Sequence, residues 1–145
     1  MAEREITVGS PFGTKQSRII MPIEGGSING PTISGVIEHL SGADWVTAIE
    51  GTDFMKLDAR YTIRTDDSHY LYIQAKGVFS NGPGRPGPLV GPAAPPLVNL
   101  TQDQVEWFTH INIEAGPGPY HWLNSILAVG VLAMHEKRSS SMPIC

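Results

Sequence analysis

Polar and apolar residues alternate along much of this chain with a period of two. Over residues 54–64, Leu57, Ala59, Tyr61 and Ile63 share one side, while Lys56, Asp58, Arg60, Thr62 and Arg64 share the other. That is the pattern of a half-buried strand. Thr65, Asp66, Asp67 and Ser68 supply turn residues. Residues 70–78, rich in aromatic and β-branched side chains, predict the second strand of an antiparallel hairpin. Residues 107–114 alternate again, with Trp107, Thr109, Ile111 and Ile113 opposed to Phe108, His110, Asn112 and Glu114. Residues 122–136 predict a longer strand, bent or bulged at Gly130. Shorter strand candidates lie at 3–8, 18–23 and 31–40, punctuated by Gly25-Gly26, Asn29-Gly30 and Ser41-Gly42. The helix signal is confined to Thr101–Gln104, which resembles a capping box before a single turn. Many short strands with glycine turns predict an all-β sandwich or barrel.

One segment breaks the pattern. Residues 81–96 hold six of the twelve prolines and four glycines. Proline has no N–H to donate to a ladder, so this stretch is an exposed loop or a lid over a site. Residues 1–138 are expected to form one domain, followed by an unordered tail at 139–145.

Composition narrows the function. Ten basic and fourteen acidic residues give a net charge of −4 with no basic patch, which argues against a nucleic-acid partner. The longest apolar run, residues 126–134, is too short to span a bilayer. With no signal-peptide pattern in the first ten residues, a cytoplasmic protein without a membrane partner is expected. Cys145 is the lone cysteine, so neither an internal disulfide nor a thiolate zinc site is available. His39, His69, His110, His121 and His135 show no metal-ligand spacing. No phosphate-binding glycine loop or nucleophile elbow is present. Neither a metal nor another cofactor is therefore expected.

The candidate chemistry sits on strand faces. Asp58 and Arg60, two residues apart, point the same way. Arg60 can stabilise developing negative charge while Asp58 moves a proton or orients Arg60. The competing explanation is a solvated ion pair contributing about 0–1 kcal/mol. His110 and Glu114 share a polar face, and histidine suits proton transfer near neutral pH. Trp45, Tyr61, Tyr120, Trp122 and Asn124 are candidate pocket-forming residues. The alternative for the aromatic residues is core packing, and for Asn124 a hydrogen bond to backbone. Two arrangements are open. Apolar faces inside make a packed core with Asp58, Arg60 and Glu114 outside, at a subunit interface. Polar faces inside make a cavity lined by Asp58, Arg60, Thr62, His110 and Glu114. The presence of both charge signs, able to pair, tips the expectation to the polar interior.

Together these residues resemble a known family. Ser41-Gly42-Ala43-Asp44-Trp45 resembles a G-G-A-D-W turn, and residues 57–67 resemble L-D-A-R-Y-T-[LI]-R-T-D-D. Ile113-Glu114-Ala115 through Tyr120-His121-Trp122-Leu123-Asn124 resembles F-E-T…Y-x-W-L-N, with P-I-x-G-G and G-P counterparts upstream. The resemblance, over residues 18–136, is to the domain-of-unknown-function 3237 family. It implies an antiparallel closed or nearly closed β-barrel, lipocalin-like in general shape, that self-associates as a homo-oligomer. It implies no established activity. The positions matching the family are Trp45, Asp58, Arg60, Tyr61, Arg64, Asp66, Glu114, Tyr120, Trp122 and Asn124. Leu40-Ser41, residues 81–96 and His110 depart from its pattern.

The functional expectation is a cofactor-free enzyme performing cyclisation, isomerisation or dehydration on a small, partly apolar metabolite. Analogy with barrel-type cyclases places it in natural-product biosynthesis. Asp58, Arg60, His110 and Glu114 are the expected acid–base groups, and Trp45, Tyr61, Tyr120, Trp122 and Asn124 the substrate-binding ones. The alternatives are a non-catalytic, lipocalin-like small-molecule carrier and a structural protein.

Overall fold

The computed structural model describes residues 5–89, 92–95, 99–135 and 138–141. Among these residues ten strands make one antiparallel sheet: β1 (Ile6–Val8), β2 (Gln16–Ile23), β3 (Gly26–Asn29), β4 (Ser34–Ile37), β5 (Gly42–Ile49), β6 (Phe54–Thr65), β7 (Tyr70–Asn81), β8 (Val105–Ala115), β9 (Ala128–His135) and β10 (Arg138–Ser141). Along the sheet the order is β1-β2-β5-β6-β7-β8-β9-β10, with the β3–β4 hairpin attached to β6 through β4. No ladder joins β1 to β10 among the described residues, so the barrel-like sheet is not strictly closed. No α-helix occurs among the described residues, and single 3-10 turns lie at Pro11–Gly13 and His121–Ser125.

The alternating pattern folds as its periodicity dictates. β6 and β7 pair from Phe54↔Ser80 to Arg64↔Tyr70, and β7 and β8 from Leu71↔Ala115 to Asn81↔Val105. The apolar faces point inward. Leu57, Ile63, Leu71, Ile73, Ala75, Phe79, Ile111 and Ile113 are buried. This overturns the expectation of a polar interior. Asp58, Arg60, His110 and Glu114 lie on the outer face, because one face of each strand has to be removed from water and the apolar one gains more by it. The interior divides into two apolar clusters. One gathers Val46, Ala48, Met55, Leu57, Phe79, Leu89, Leu100 and Val105. The other gathers Ile63, Leu71, Ile73, Ala75, Ile111, Ile113, Leu123 and Ala128.

Three further elements differ from the sequence expectations. Trp122 is not in a strand: it sits in the 3-10 turn, and β9 starts at Ala128. Within the proline-rich segment, Leu89 is buried in the first cluster and its N–H donates to Thr52 O at 2.9 Å. Arg85 is buried too, bonded to Asn81 Oδ1 and, at 2.8 Å, to Pro95 O. Leu89 thus anchors the loop on the barrel core, while Pro83, Gly84, Pro86, Gly87, Pro92, Ala93 and Pro95 stay exposed. Finally, β10 pairs with β9 from Arg138↔His135 to Ser141↔Leu132, which carries regular structure into the segment expected to be a tail. Cys145 lies outside the described residues.

Candidate functional site

Antiparallel register brings the outward residues of β5–β8 into rows. Asp58 faces Lys76, which faces His110; Arg60 faces Gln74, which faces Asn112; Thr62 faces Tyr72, which faces Glu114. Asp58 and Arg60 meet directly: Arg60 Nη2 lies 3.2 Å from Asp58 Oδ2 and Nε 3.4 Å from Oδ1. Gln74 Nε2 donates to the same Oδ1 at 3.4 Å. The Arg60 guanidinium also lies over the Trp45 ring, 5.8 Å from its centroid, a cation–π contact. Burial pushes the Asp58 carboxyl up. The hydrogen bonds from Arg60 and Gln74, with the charges of Arg60 and Lys76, outweigh it and hold the group below its ordinary range. Asp58 in turn raises the Arg60 guanidinium. Side-chain exposures of 27% for Asp58 and 48% for Arg60 leave both reachable from solvent.

The sheet is loosened beside this pair. β5 and β6 are bridged at Ala43↔Arg60 and Asp44↔Ala59, then again at Thr47↔Lys56. In the gap a side chain replaces the ladder: Asp44 Oδ1 accepts from the backbone N–H of Asp58 at 3.0 Å. Asp44 shares the inward register of β5 with the buried Val46 and Ala48. Burial pushes its carboxyl up to about 6, with the Asp58 N–H acting the other way. A half-buried acid tuned toward neutrality beside an exposed ion pair is a feature that functional sites share. In the sequence Asp44 falls within the turn-like Ser41–Trp45 motif and is not among the candidate residues. Its inward register is hidden in the sequence, because Ala43 and Trp45 put apolar side chains on the opposite face.

The remaining candidates separate. His110 is two strands from Asp58, about 10 Å at the usual strand spacing, with Lys76 between them. Glu114 lies one row beyond Asn112. Tyr61 faces inward and packs against the second apolar cluster, with burial raising its phenol. It therefore stands apart from the outer-face pair, on the core side of β6. Asn124 pins backbone, accepting from Ala115 N–H at 3.0 Å and donating to Ala115 O and His121 O. Trp122 is exposed on the same turn. Tyr120, just before that turn, donates from its hydroxyl to Asp67 Oδ1 at 2.7 Å. Of the nine predicted residues, the structure brings Asp58, Arg60 and Trp45 into one constellation.

Comparison with known proteins places this geometry in a family. Residues 1–143 match the model of the family described as "Protein of unknown function (DUF3237)". A relative, UPF0311 protein RPA1785 of Rhodopseudomonas palustris (strain ATCC BAA-98 / CGA009), is 32% identical over 135 residues, spanning 92% of this chain and 82% of the relative. The crystal structure of RPA1785, described as a conserved protein of unknown function, matches with a TM-score of 0.75 at 27% identity, over 97% of this chain and 86% of that one. A β-barrel-like protein of Acinetobacter baumannii AYE matches with a TM-score of 0.71 at 23% identity, over 96% and 91% of the two chains. An enzyme from Penicillium herquei matches more distantly, with a TM-score of 0.56 at 18% identity over 88% and 75%. No helix among the described residues is long and apolar enough to cross a membrane.

Proposed function

The chain belongs to the family described as "Protein of unknown function (DUF3237)", and from that premise we propose that its outer sheet face is the site of a cofactor-free enzyme. The reaction class is proton transfer on a small, partly apolar metabolite: cyclisation, isomerisation or dehydration, in a natural-product pathway. The observation that carries it is the Asp58–Arg60 pair, ionised, reachable and bonded to Gln74 beside Trp45. A carboxylate held in its charged form serves as a base. A neighbouring guanidinium stabilises the negative charge that proton removal creates. Trp45 offers an apolar wall to the substrate. That an enzyme from Penicillium herquei shares the fold supports the capacity of such a sheet to host catalysis.

An open face becomes a pocket when a second surface covers it and excludes water. The fitting cover is a second copy of the chain. Val78, Phe108 and Val129 are 42%, 44% and 55% exposed on the same outer face. They supply apolar area beside the polar rows, the composition of an interface core with a polar site at its rim. His110 and Glu114 would then act from this wider surface rather than as direct partners of Asp58. A carrier with its ligand inside the barrel is less favoured, since the ligand would have to displace the two apolar clusters.

The test is a screen of small phenols, ketones and hydroxy-carbonyl compounds by mass spectrometry. It looks for isomeric products or products lighter by one water. Turnover by the parent protein should fall at least about 100-fold in Asp58→Asn and in Arg60→Met, the range for losing an acid–base group, with thermal midpoints close to the parent's. Turnover retained in both folded variants would remove the pair from the reaction. A tightly held ligand released unchanged on denaturation, with no conversion of any compound, would favour the carrier.

A further inference from the structure

At one end of the barrel, away from the Asp58–Arg60 pair, a second cluster of titratable groups borders a half-open cavity of about 100 Å³. Its walls are His69, Tyr70, Leu71, Ala115, Pro117 and Tyr120, with Gly116. The hairpin between β6 and β7 builds one side. Ser68 takes a left-handed φ of 66° and its N–H donates to Thr65 O at 3.0 Å. The Thr65 hydroxyl accepts from His69 N–H at 2.8 Å. This tight turn projects Asp67 and His69 toward Tyr120. Tyr120 stands on the other side, fixed before the 3-10 turn that Asn124 ties to Ala115.

The three side chains form a chain of contacts. Tyr120 Oη donates to Asp67 Oδ1 at 2.7 Å, and Asp67 Oδ2 lies 3.5 Å from His69 Nδ1. The His69 and Tyr120 rings meet edge to face at 5.4 Å. With the Thr65 and Tyr120 hydroxyls bonded to it, the Asp67 carboxyl is held down at about 2, so it is an acceptor at any ordinary pH. His69 Nδ1 is buried and has no hydrogen-bond partner among the described residues. An electrostatic contact therefore stands where a hydrogen bond is one small movement away. Such bonds are often long in unliganded sites and tighten on binding. In the neutral imidazole a carboxylate facing Nδ1 favours the proton at that nitrogen, and Nε2 then carries the lone pair. Nε2 lies on the side of Gly118, 3.8 Å from where a side chain at that glycine would begin.

We propose that this cavity binds a small neutral molecule through a hydroxyl group that donates to His69 Nε2, with Asp67 as the residue that positions the imidazole. The walls select the ligand. Leu71, Ala115 and Pro117 are apolar, and the acids of the turn, Asp66 and Asp67, oppose an anion. Arg64, the nearest cation in sequence, is committed to Glu38. At about 30 Å³ per water, the space holds about three waters or one compact organic group. The site is independent of the proposed reaction on the outer face.

Phenol, neutral and flat with one acidic hydroxyl, is the probe. Long-range ¹H–¹⁵N spectra of the imidazole in alkaline buffer should show His69 as the Nδ1–H tautomer in the parent protein. In Asp67→Asn, Tyr120 still donates to the side-chain oxygen and turns the amide N–H toward Nδ1, so the tautomer should invert. Phenol should shift the His69 ring and Leu71 methyl signals saturably. Binding should weaken at least tenfold in both Asp67→Asn and His69→Ala, and acetate should give no saturable shift. An Nε2–H tautomer in the parent would overturn the proposal. So would phenol shifts that fail to saturate, phenol binding unaltered in the two variants, or acetate binding as tightly as phenol.

Discussion

Asp44 is an acid on an inward register, between Met21 on β2 and Ala59 on β6. Burial lifts its folded-state pKa to about 6, above the ordinary carboxylate value of 3.8. From about pH 4 to 6 the native protein therefore keeps a proton that the unfolded chain releases, and stability falls as pH rises through that window. At 1.36 kcal/mol per unit, the loss is about 3 kcal/mol at most. Asn at this position keeps the oxygen that accepts from Asp58 N–H and removes the charge. Urea unfolding at pH 4.5 and pH 7.5 should show the parent losing about 2 kcal/mol more than Asp44→Asn across this interval. Equal slopes for the two proteins would mean that Asp44 ionises freely in the fold. Asp67 works in the opposite sense, since its depressed pKa adds stability that is lost only as pH falls toward 2. That separation keeps the two carboxylates from being confused in a titration. At this scale the sequence disclosed that Asp58 and Arg60 are neighbours. It could not disclose that Asp44 bonds to the backbone of β6, because that contact depends on two strands failing to pair over two positions.

Among the elements, the β6–β7–β8 meander followed the alternation in the sequence to within a few residues at each end. β5 escaped notice as a strand. Its outward face carries Ala43 and Trp45 and its inward face carries Asp44, so polarity does not alternate cleanly. The Trp122 turn was misread for a related reason: an apolar run of this kind suits a strand until Asn124 engages Ala115 across nine residues. Close approach of neighbouring backbones is the other hidden determinant. A Cβ at Gly77 would lie 1.8 Å from Phe108 O, so β7 and β8 bend together at a place where no side chain fits. Gly77→Ala should cost about 1–3 kcal/mol or more, as overpacking does. The loss should appear as a lower urea midpoint, and amide exchange in β7 and β8 should accelerate ahead of that in β2. An unchanged midpoint would mean that the two strands can separate locally at no cost.

For the whole molecule, the interior is apolar and the outer face of β6–β8 carries mixed chemistry. Rows of charged and amide side chains adjoin Val78, Phe108 and Val129. If a second copy covers this face, Phe108→Lys should lower the oligomeric mass in native mass spectrometry, with the far-ultraviolet dichroism of the sheet unchanged. The same substitution should reduce any turnover that depends on Asp58 and Arg60, since the site would open to water. A parent protein that is monomeric at micromolar concentration would exclude this cover. The proline-rich loop belongs to this scale too. Leu89 enters the fold through the apolar cluster and a bond to Thr52 O, distant in sequence, whereas Arg85 ties the loop to itself at Asn81 and Pro95. A proline count announces that a segment is not a strand and is silent on whether it packs.

The order of residues determined the β6–β7–β8 meander, the turn between β6 and β7 and the sharing of faces there, because the two-residue period of an extended backbone is written directly into which neighbours are apolar. It also placed Asp58 beside Arg60, since residues two apart on a strand always point together. Tertiary structure decided which face was inside, because burial is a competition among all the faces at once, and the apolar ones together outweighed the chance of pairing charges within. It alone brought Asp67 and His69 to Tyr120, more than fifty residues on, and placed an acid at position 44 against the backbone of β6. Those contacts follow from how the strands curve and where their ladders part, and strand curvature and ladder breaks leave no period in a sequence.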